Sequence, residues 1–407
     1  MNGHVLVVGA SHAGVQLAAR LRERGHRGPV TLVGDETPLP YHRPPLSKAY
    51  LAGSVTPDSM SLRPETFYAT KEISLLRGTR VEEIDLEAGT ARTSTGDHLT
   101  FDHLALTTGA AARRLEVPGA ELRGVAHLRD MRDATGLRDT LGSVRRAVVV
   151  GGGFIGLEAA AVLRQRGVEV TVVEFADRLM ARSVSREMSD FFADLHRDQG
   201  SRVLLETGVV ALEGTDDGCV GAVALDDGTA LPADLVVVGI GVVPRTGLAD
   251  QLGLQVDGGV LVDRRARTSD PRVVAAGDVT LLPHPLEPGT LLRLESVQNA
   301  TDQSDIAAAT LCGQDVSYDA VPWFWSDQFD LKLQMAGAAT RYDDVVVRGS
   351  AREGGFTVLC YRDDRLVAGE CVNAGSDFVA VRRALAAGTS FPRDLAADIS
   401  VKLKTLL

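Results

Sequence analysis

Cysteine is scarce and comes late. The 407-residue chain has four, Cys219, Cys312, Cys360 and Cys371, with no C-x-x-C pair and none in the first 200 residues. That pattern excludes a disulfide framework and a cysteine metal site, and it points to a reducing compartment. Isolated cysteines of this kind read as small buried hydrophobes. Aromatics make up only 5%, so Trp323 and Trp325, two positions apart, stand out. No run of about 18 apolar residues exists, so no transmembrane helix is expected. The chain enters a strand at Val5 with no n-region or h-region before it, so no signal peptide is expected and the expected location is cytoplasmic. Positive charge is outnumbered, 43 Lys and Arg against 54 Asp and Glu, for a net charge of −11. This argues against nucleic acid as a bulk partner and leaves room for an acidic protein at a local basic patch. The length implies two or three domains.

Two segments are built alike. His4 to Val8 and Ala147 to Val150 are continuous apolar runs, the mark of parallel strands covered on both faces. Each meets a Gly-rich turn and then an Ala/Leu-rich helix, Val15 to Arg24 and Leu157 to Arg166. Each helix ends at Arg-Gly (Gly25, Gly167), a C-cap signature. A second strand follows each, Val30 to Val33 and Glu169 to Val173. The chain therefore opens two βαβ units. Further short strands are expected at Leu104 to Leu106, Leu235 to Gly239 and Val273 to Ala276. Beyond Val321 the pattern changes to antiparallel strands separated by Asp/Gly turns and then a helix, Phe378 to Ala387, an α+β domain.

The second turn reads G-x-G-x-x-G through Gly151, Gly153 and Gly156. The first glycine permits the tight turn, the second admits a pyrophosphate and the third packs helix on strand. The helix N-terminus offers free N–H groups and positive potential to phosphates. Glu174 ends the next strand at the spacing of a ribose-binding acid. A carboxylate there favours NADH over NADPH, although Arg178 and Arg182 lie nearby. The first turn, Gly9-Ala10-Ser11-His12-Ala13-Gly14, has Ser11 in place of the middle glycine, and Asp35 stands at the matching acid position. Two copies of NAD have no evident joint chemistry, whereas FAD plus a nicotinamide does: hydride moves from one to the other. The segment Tyr41 to Lys48 is not a Walker A loop, and its prolines make a stiff stretch before Ser47, which is expected to cap a helix.

The runs Tyr41 to Leu51 (YHRPPLSKAYL), Gly151 to Glu158 (GGGFIGLE), Gly239 to Pro244 (GIGVVP), Ala275 to Asp278 (AAGD), Glu295 to Asn299 (ESVQN) and Pro322 to Gln328 (PWFWSDQ) resemble the FAD-dependent ferredoxin–NAD+ reductases that serve bacterial monooxygenases and dioxygenases. The resemblance covers nearly the whole chain, in order. It implies an α/β fold with two Rossmann-like dinucleotide-binding domains of the glutathione-reductase kind plus a C-terminal α+β domain. The implied boundaries are 1–110 with 245–320 for FAD, 111–244 for NADH, and 321–407 for the last domain.

The resemblance also implies residue roles. Gly9, Ala13, Gly14 and Asp35 hold the FAD adenosine and pyrophosphate, and Val81, Arg129 and Asp278 contact the same cofactor. Arg43 and Pro44 line the flavin, and Val297 begins a helix aimed at its pyrimidine. Lys48 reaches the flavin N5 edge and pairs with Glu158, and Trp325 stands by the isoalloxazine; these three form the expected catalytic set. Gly151, Gly153, Ile155, Gly156 and Glu174 hold NADH. The implied partner is a two-iron two-sulfur ferredoxin, with Arg63, Arg293, Trp323 and Lys404 as docking candidates; a monomer is expected. Arg245 departs from the family's usual asparagine, and Asp302 and Asp305 occupy a helix where a basic docking residue can occur. A disulfide-type reductase or NADH oxidase on this fold needs an early redox cysteine, which is absent. An apoptosis-inducing-factor-like NADH-binding flavoprotein and a rubredoxin reductase stay open as alternatives.

Overall fold

Val5, Leu6, Val7 and Val8 are buried on both faces of a sheet, and their neighbours explain why. In the computed structural model, which describes residues 3–338, 341–350 and 354–407, Val5–Val8 pairs in parallel with Val30–Val33 on one side and His103–Leu106 on the other. Ile73–Leu76 and Val273–Ala275 complete a five-stranded sheet in the order Val273–Ala275, His103–Leu106, Val5–Val8, Val30–Val33, Ile73–Leu76. The helix His12–Glu23 covers it with Ala13, Gly14, Val15, Leu17, Ala18, Ala19 and Leu21 buried. A continuous apolar strand needs both faces covered, because its side chains alternate between the two faces and each face would otherwise expose apolar surface to water.

The chain divides into two compact units. The sheet above belongs to the first, formed by 1–42, 57–111 and 243–322; the second is formed by 43–56, 112–242 and 323–407. The second unit repeats the pattern with a five-stranded parallel sheet in the order Arg202–Leu204, Glu169–Val173, Arg146–Val150, Leu235–Val238, Val125–His127. The helix Phe154–Gln165 packs on it with Leu157, Ala159, Ala160, Ala161 and Leu163 buried. The second unit also holds a five-stranded antiparallel sheet, ordered Trp323–Gln328, Leu331–Gly337, Arg365–Val372, Gly355–Arg362, Asp344–Ser350, with the helix Gly375–Ala387 against it.

Both dinucleotide-type helices start three residues earlier than the hydrophobic periodicity suggested, at His12 and Phe154 rather than Val15 and Leu157. The first turn of each holds a glycine, Gly14 or Gly156, which interrupts the apolar period there. Both end as expected. Gly25 and Gly167 take left-handed φ angles of 86° and 81°, and His26 and Val168 donate back to Leu21 and Leu163, which satisfies last-turn carbonyls.

The helix expected after Ser47 is absent. Pro44–Ser47 is a single 3-10 turn that ends at Ser47. Ser47 has no following helix to cap, and its hydroxyl points instead to Glu158. Cys360 and Cys371 are buried in the antiparallel sheet. Burial pushes both thiols up, Cys371 to about 12, so neither is a ready thiolate. Among the described residues, no helix is long and apolar enough to cross a membrane.

Candidate functional site

Each βα turn is shaped by its first and last glycine. Gly9 has φ +114°, and a Cβ there would lie 2.2 Å from the Thr107 carbonyl oxygen. Gly151 has φ +105°, and a Cβ would lie 2.5 Å from the Gly239 oxygen. A Cβ on Gly14 or Gly156 would strike the carbonyl oxygen of Gly9 or Gly151 at 1.9 and 2.3 Å. The middle position is different. At Gly153 a Cβ would meet only the Gly239 oxygen at 3.8 Å, ordinary contact. Ser11, its counterpart, sits in the same extended region, φ −121° against −81°. The protein itself therefore tolerates a side chain at that place, which accounts for Ser11.

Both helix N-termini suit an anion. Neither Ser11 nor Gly153 provides a side-chain cap, and neither helix has an acid in its first turn. Elsewhere Asp130, Ser185 and Ser296 cap their helices by accepting from Asp133, Met188 and Asn299. Leaving first-turn N–H groups to a ligand is what a pyrophosphate requires. The residues present thus fit two dinucleotides, one per unit.

In the first unit, Asp35 follows Val30–Val33 at the ribose-acid position, and Arg245 Nη1 lies 3.1 Å from its Oδ2. Arg245 is therefore the ion-pair partner of Asp35, a link that spacing alone gave no sign of. Asp278 follows Gly277 at the end of Val273–Ala275. That turn is tied to the helix Val297–Leu311 by Gln303, whose buried Oε1 accepts from Gly277 N at 2.8 Å and from Thr280 Oγ1 at 2.9 Å. Val297 opens this helix, half-buried, behind the Ser296 cap. Val81 is buried at the start of Val81–Asp85.

In the second unit, Glu174 Oε2 accepts from Gly152 N at 2.6 Å and Oε1 from Ala176 N at 2.7 Å. The acid is thus fastened to the glycine turn itself. Arg178 donates to the carbonyls of Val184, Ser185 and Ala181. Its guanidinium is committed to backbone. Two large apolar side chains of this unit lie open, Ile155 within the glycine motif at 43% exposure and Phe175, next to this acid in sequence, at 81%.

The same unit gathers Arg43, Lys48, Glu158 and Trp325. Glu158 comes from the buried face of Phe154–Gln165 and is 2% exposed. Lys48 Nζ lies 2.6 Å from its Oε2, and Ser47 Oγ lies 2.5 Å from the same atom. Ser326 Oγ approaches Oε1 at 2.7 Å. A buried carboxylate needs such partners, since an unpaired one is strongly penalised. Arg43 Nη1 donates to the Arg129 carbonyl at 2.9 Å, and Pro44 opens the 3-10 turn. Side chains alternate along Trp323–Gln328. Phe324, Ser326 and Gln328 meet Phe154, Glu158 and His196 in turn. Trp323 and Trp325 share the other face with centroids 5.6 Å apart. In the sequence Ser47 reads only as a helix cap and His196 carries no mark; for Ser326 and Gln328 the strict period of two through PWFWSDQ is the available signal.

The docking candidates are scattered in character. Arg63 is exposed and stacks over Phe67 at 5.4 Å. Arg293 is paired with Glu295. Lys404 is exposed, and Trp323 is half-buried beneath Arg382 at 5.3 Å. On the acidic helix, Asp305 is neutralised by Arg24 at 2.9 Å.

Residues 3–304 match the pyridine nucleotide-disulphide oxidoreductase family and 323–407 the reductase C-terminal family. The chain is 44% identical over 400 residues to a rhodocoxin reductase of Rhodococcus erythropolis, covering 98% of this chain and 93% of that one. In structure it resembles the ferredoxin reductase for the CYP199A2 system from Rhodopseudomonas palustris, with a TM-score of 0.96, 43% identity and 99% of both chains covered. It also resembles the reductase of a covalent putidaredoxin reductase–putidaredoxin complex, with a TM-score of 0.96, 39% identity, and 100% and 98% covered.

Proposed function

Because this chain belongs to the pyridine nucleotide-disulphide oxidoreductases, in the group that carries the reductase C-terminal region and includes ferredoxin reductases, we propose that it is an FAD-dependent NADH:ferredoxin reductase that feeds a monooxygenase or dioxygenase. The observation that carries this reading is the pair of uncapped glycine turns, each with its own acid, in a chain whose first 200 residues hold no cysteine. Two dinucleotides with no redox thiol leave outward electron transfer as the chemistry.

FAD, when bound, accepts two electrons as a hydride and releases them singly, which is the whole of its contribution. The protein's part is placement and electrostatics. Gly9, Ala13 and Gly14 leave helix N–H groups for the FAD pyrophosphate, Asp35 takes its ribose, and Val81, Asp278 and Val297 contact the rest of the cofactor. Arg43, Pro44, Arg129 and Trp325 are flavin contacts. Lys48, held by Glu158, is the cation that favours added negative charge. Gly151, Gly153, Ile155 and Gly156 seat NADH, and Glu174 accepts from its ribose hydroxyls. A 2′-phosphate would meet that carboxylate, and Arg178 is committed to backbone carbonyls, so NADH is the nucleotide. Arg63, Arg293, Trp323 and Lys404 are proposed docking residues, and the protein acts as a monomer in the cytoplasm.

The test is anaerobic bleaching of the purified yellow protein by NADH, followed by cytochrome c reduction with no carrier, with a two-iron ferredoxin, or with rubredoxin. Rate acceleration by the ferredoxin alone supports the proposal. Acceleration by rubredoxin alone replaces the partner. A rate that ignores both refutes carrier reduction and favours the apoptosis-inducing-factor-like alternative.

A further inference from the structure

Glu158 is reached from two sides. Lys48 and Ser47 meet Oε2, while Oε1 is met by Ser326, and behind Ser326 the contacts continue into the interior. Gln328 Nε2 lies 3.2 Å from Ser326 Oγ, and Gln328 Oε1 lies 2.9 Å from His196 Nε2. Glu158, Ser326, Gln328 and His196 are each 2% exposed or less. Elementary hydrogen-bond accounting fixes every proton along this line. A carboxylate only accepts, so the single hydroxyl proton of Ser326 goes to Glu158. Ser326 Oγ then accepts, which places the amide N–H of Gln328 against it and turns the amide oxygen toward His196. His196 therefore donates from Nε2. Its Nδ1 is buried with no hydrogen-bond partner, a tolerable place for a lone pair and a poor one for a charged N–H. Burial also holds this imidazole below its usual pKa.

We infer that His196 and Gln328 are positioning residues: they form a one-directional donor chain, through Ser326, that holds the Glu158 carboxylate aimed at Lys48. Each link orients the next dipole toward the carboxylate, and such chains strengthen their members mutually. His196 lies on Arg186–Asp198 and Gln328 on the strand Trp323–Gln328 of the antiparallel sheet, so the chain couples the placement of a proposed flavin-side cation to side chains on two other elements. This inference rests on the proposed role of Lys48, and the test separates the two.

The test uses the full-length holoprotein. Nitrogen-15 NMR of the histidine rings reads the His196 tautomer with no substitution needed. Nε2–H neutral imidazole is expected, and an Nδ1–H tautomer or an imidazolium at neutral pH overturns the chain. Stopped-flow bleaching by NADH is then compared in Ser326→Ala, His196→Leu and His196→Gln; glutamine keeps an amide N–H where Nε2 stood. One net hydrogen bond corresponds to about threefold to tenfold in rate. Ser326→Ala and His196→Leu should lose that much in limiting rate with NADH affinity unchanged, and His196→Gln should recover to within about twofold. Equal loss in His196→Leu and His196→Gln, or no loss in Ser326→Ala, reduces the chain to scaffold. Lys48→Met bleaching at the wild-type rate instead refutes the Lys48 reading, whatever the NMR result.

Discussion

Lys48 Nζ and Glu158 Oε2 stand 2.6 Å apart with side-chain exposures of 19% and 1%, so the lysine is the open end of a pair whose acid is sealed in. Removing the open partner leaves the sealed charge with hydroxyl donors only. Lys48→Met should therefore lower stability by about 3 kcal/mol, the usual loss on breaking a buried pair. It should also slow flavin bleaching by on the order of tenfold or more, as expected when a fixed charge is withdrawn from a reacting centre. Glu158→Gln together with Lys48→Met should recover part of the stability and none of the rate. Denaturant titration and stopped-flow absorbance check the two halves.

Glu174→Ala should raise the KM for NADH by about tenfold, in line with the loss of hydrogen bonds to a charged acceptor, and leave FAD bound. The carboxylate also holds Gly152 N and Ala176 N, so some loosening of the glycine turn adds to the effect. Release of FAD instead would show that the two modules have been assigned the wrong way round. Activity with NADPH should stay low in this variant, because Arg178 remains committed to the carbonyls of Ala181 and Val184.

Phe175 follows Glu174 directly and is 81% exposed. Adenine hangs from the ribose that Glu174 is proposed to take, so an aromatic one residue on is placed to stack against it. Aromatic stacking is worth about 1 kcal/mol, and Phe175→Ala should raise the KM for NADH about fivefold. Reduced nicotinamide mononucleotide, which lacks adenosine, should be used equally well by both proteins; equal loss with both donors would remove the stacking role.

Glu370, 1% exposed, accepts from Ser185 N at 2.8 Å and Ser185 Oγ at 2.6 Å. Burial raises its carboxyl from the ordinary 4.5 to about 7, with the Ser185 bonds pulling the other way. The folded state thus holds this proton more tightly than the unfolded chain does. Stability from this group is complete below about pH 4.5 and is lost as pH rises to about 7, by at most roughly 3 kcal/mol. Glu370→Gln should flatten that slope in urea titrations between pH 5 and pH 7. An unchanged slope would mean that the Ser185 donors at the helix start keep Glu370 ionised throughout.

Much of the fold is legible in local chemistry. Unbroken valine and leucine runs specify strands that neither face exposes, and Arg-Gly pairs end helices because glycine alone enters the left-handed region freely. Both motif acids, Asp35 and Glu174, are fixed by spacing from their glycine turns, since one strand and one helix have set lengths. Ser47 shows where local rules stop. A serine after prolines reads as a cap, but a 3-10 turn ends there and its hydroxyl goes to Glu158, 111 positions away.

What the sequence determined by itself was the pair of dinucleotide modules, the absence of an early redox thiol, and the resemblance carried by PPLSK and PWFWSDQ. Only the tertiary structure decided that Arg245 meets Asp35, that Arg178 turns to its own loop, and that Ser326, Gln328 and His196 line up behind Glu158. The physical reason is range. Backbone geometry and periodicity act over a few residues and are written in neighbouring letters. A buried carboxylate takes donors from wherever the packed chain brings them, and nothing in the order of residues records which distant side chains those will be.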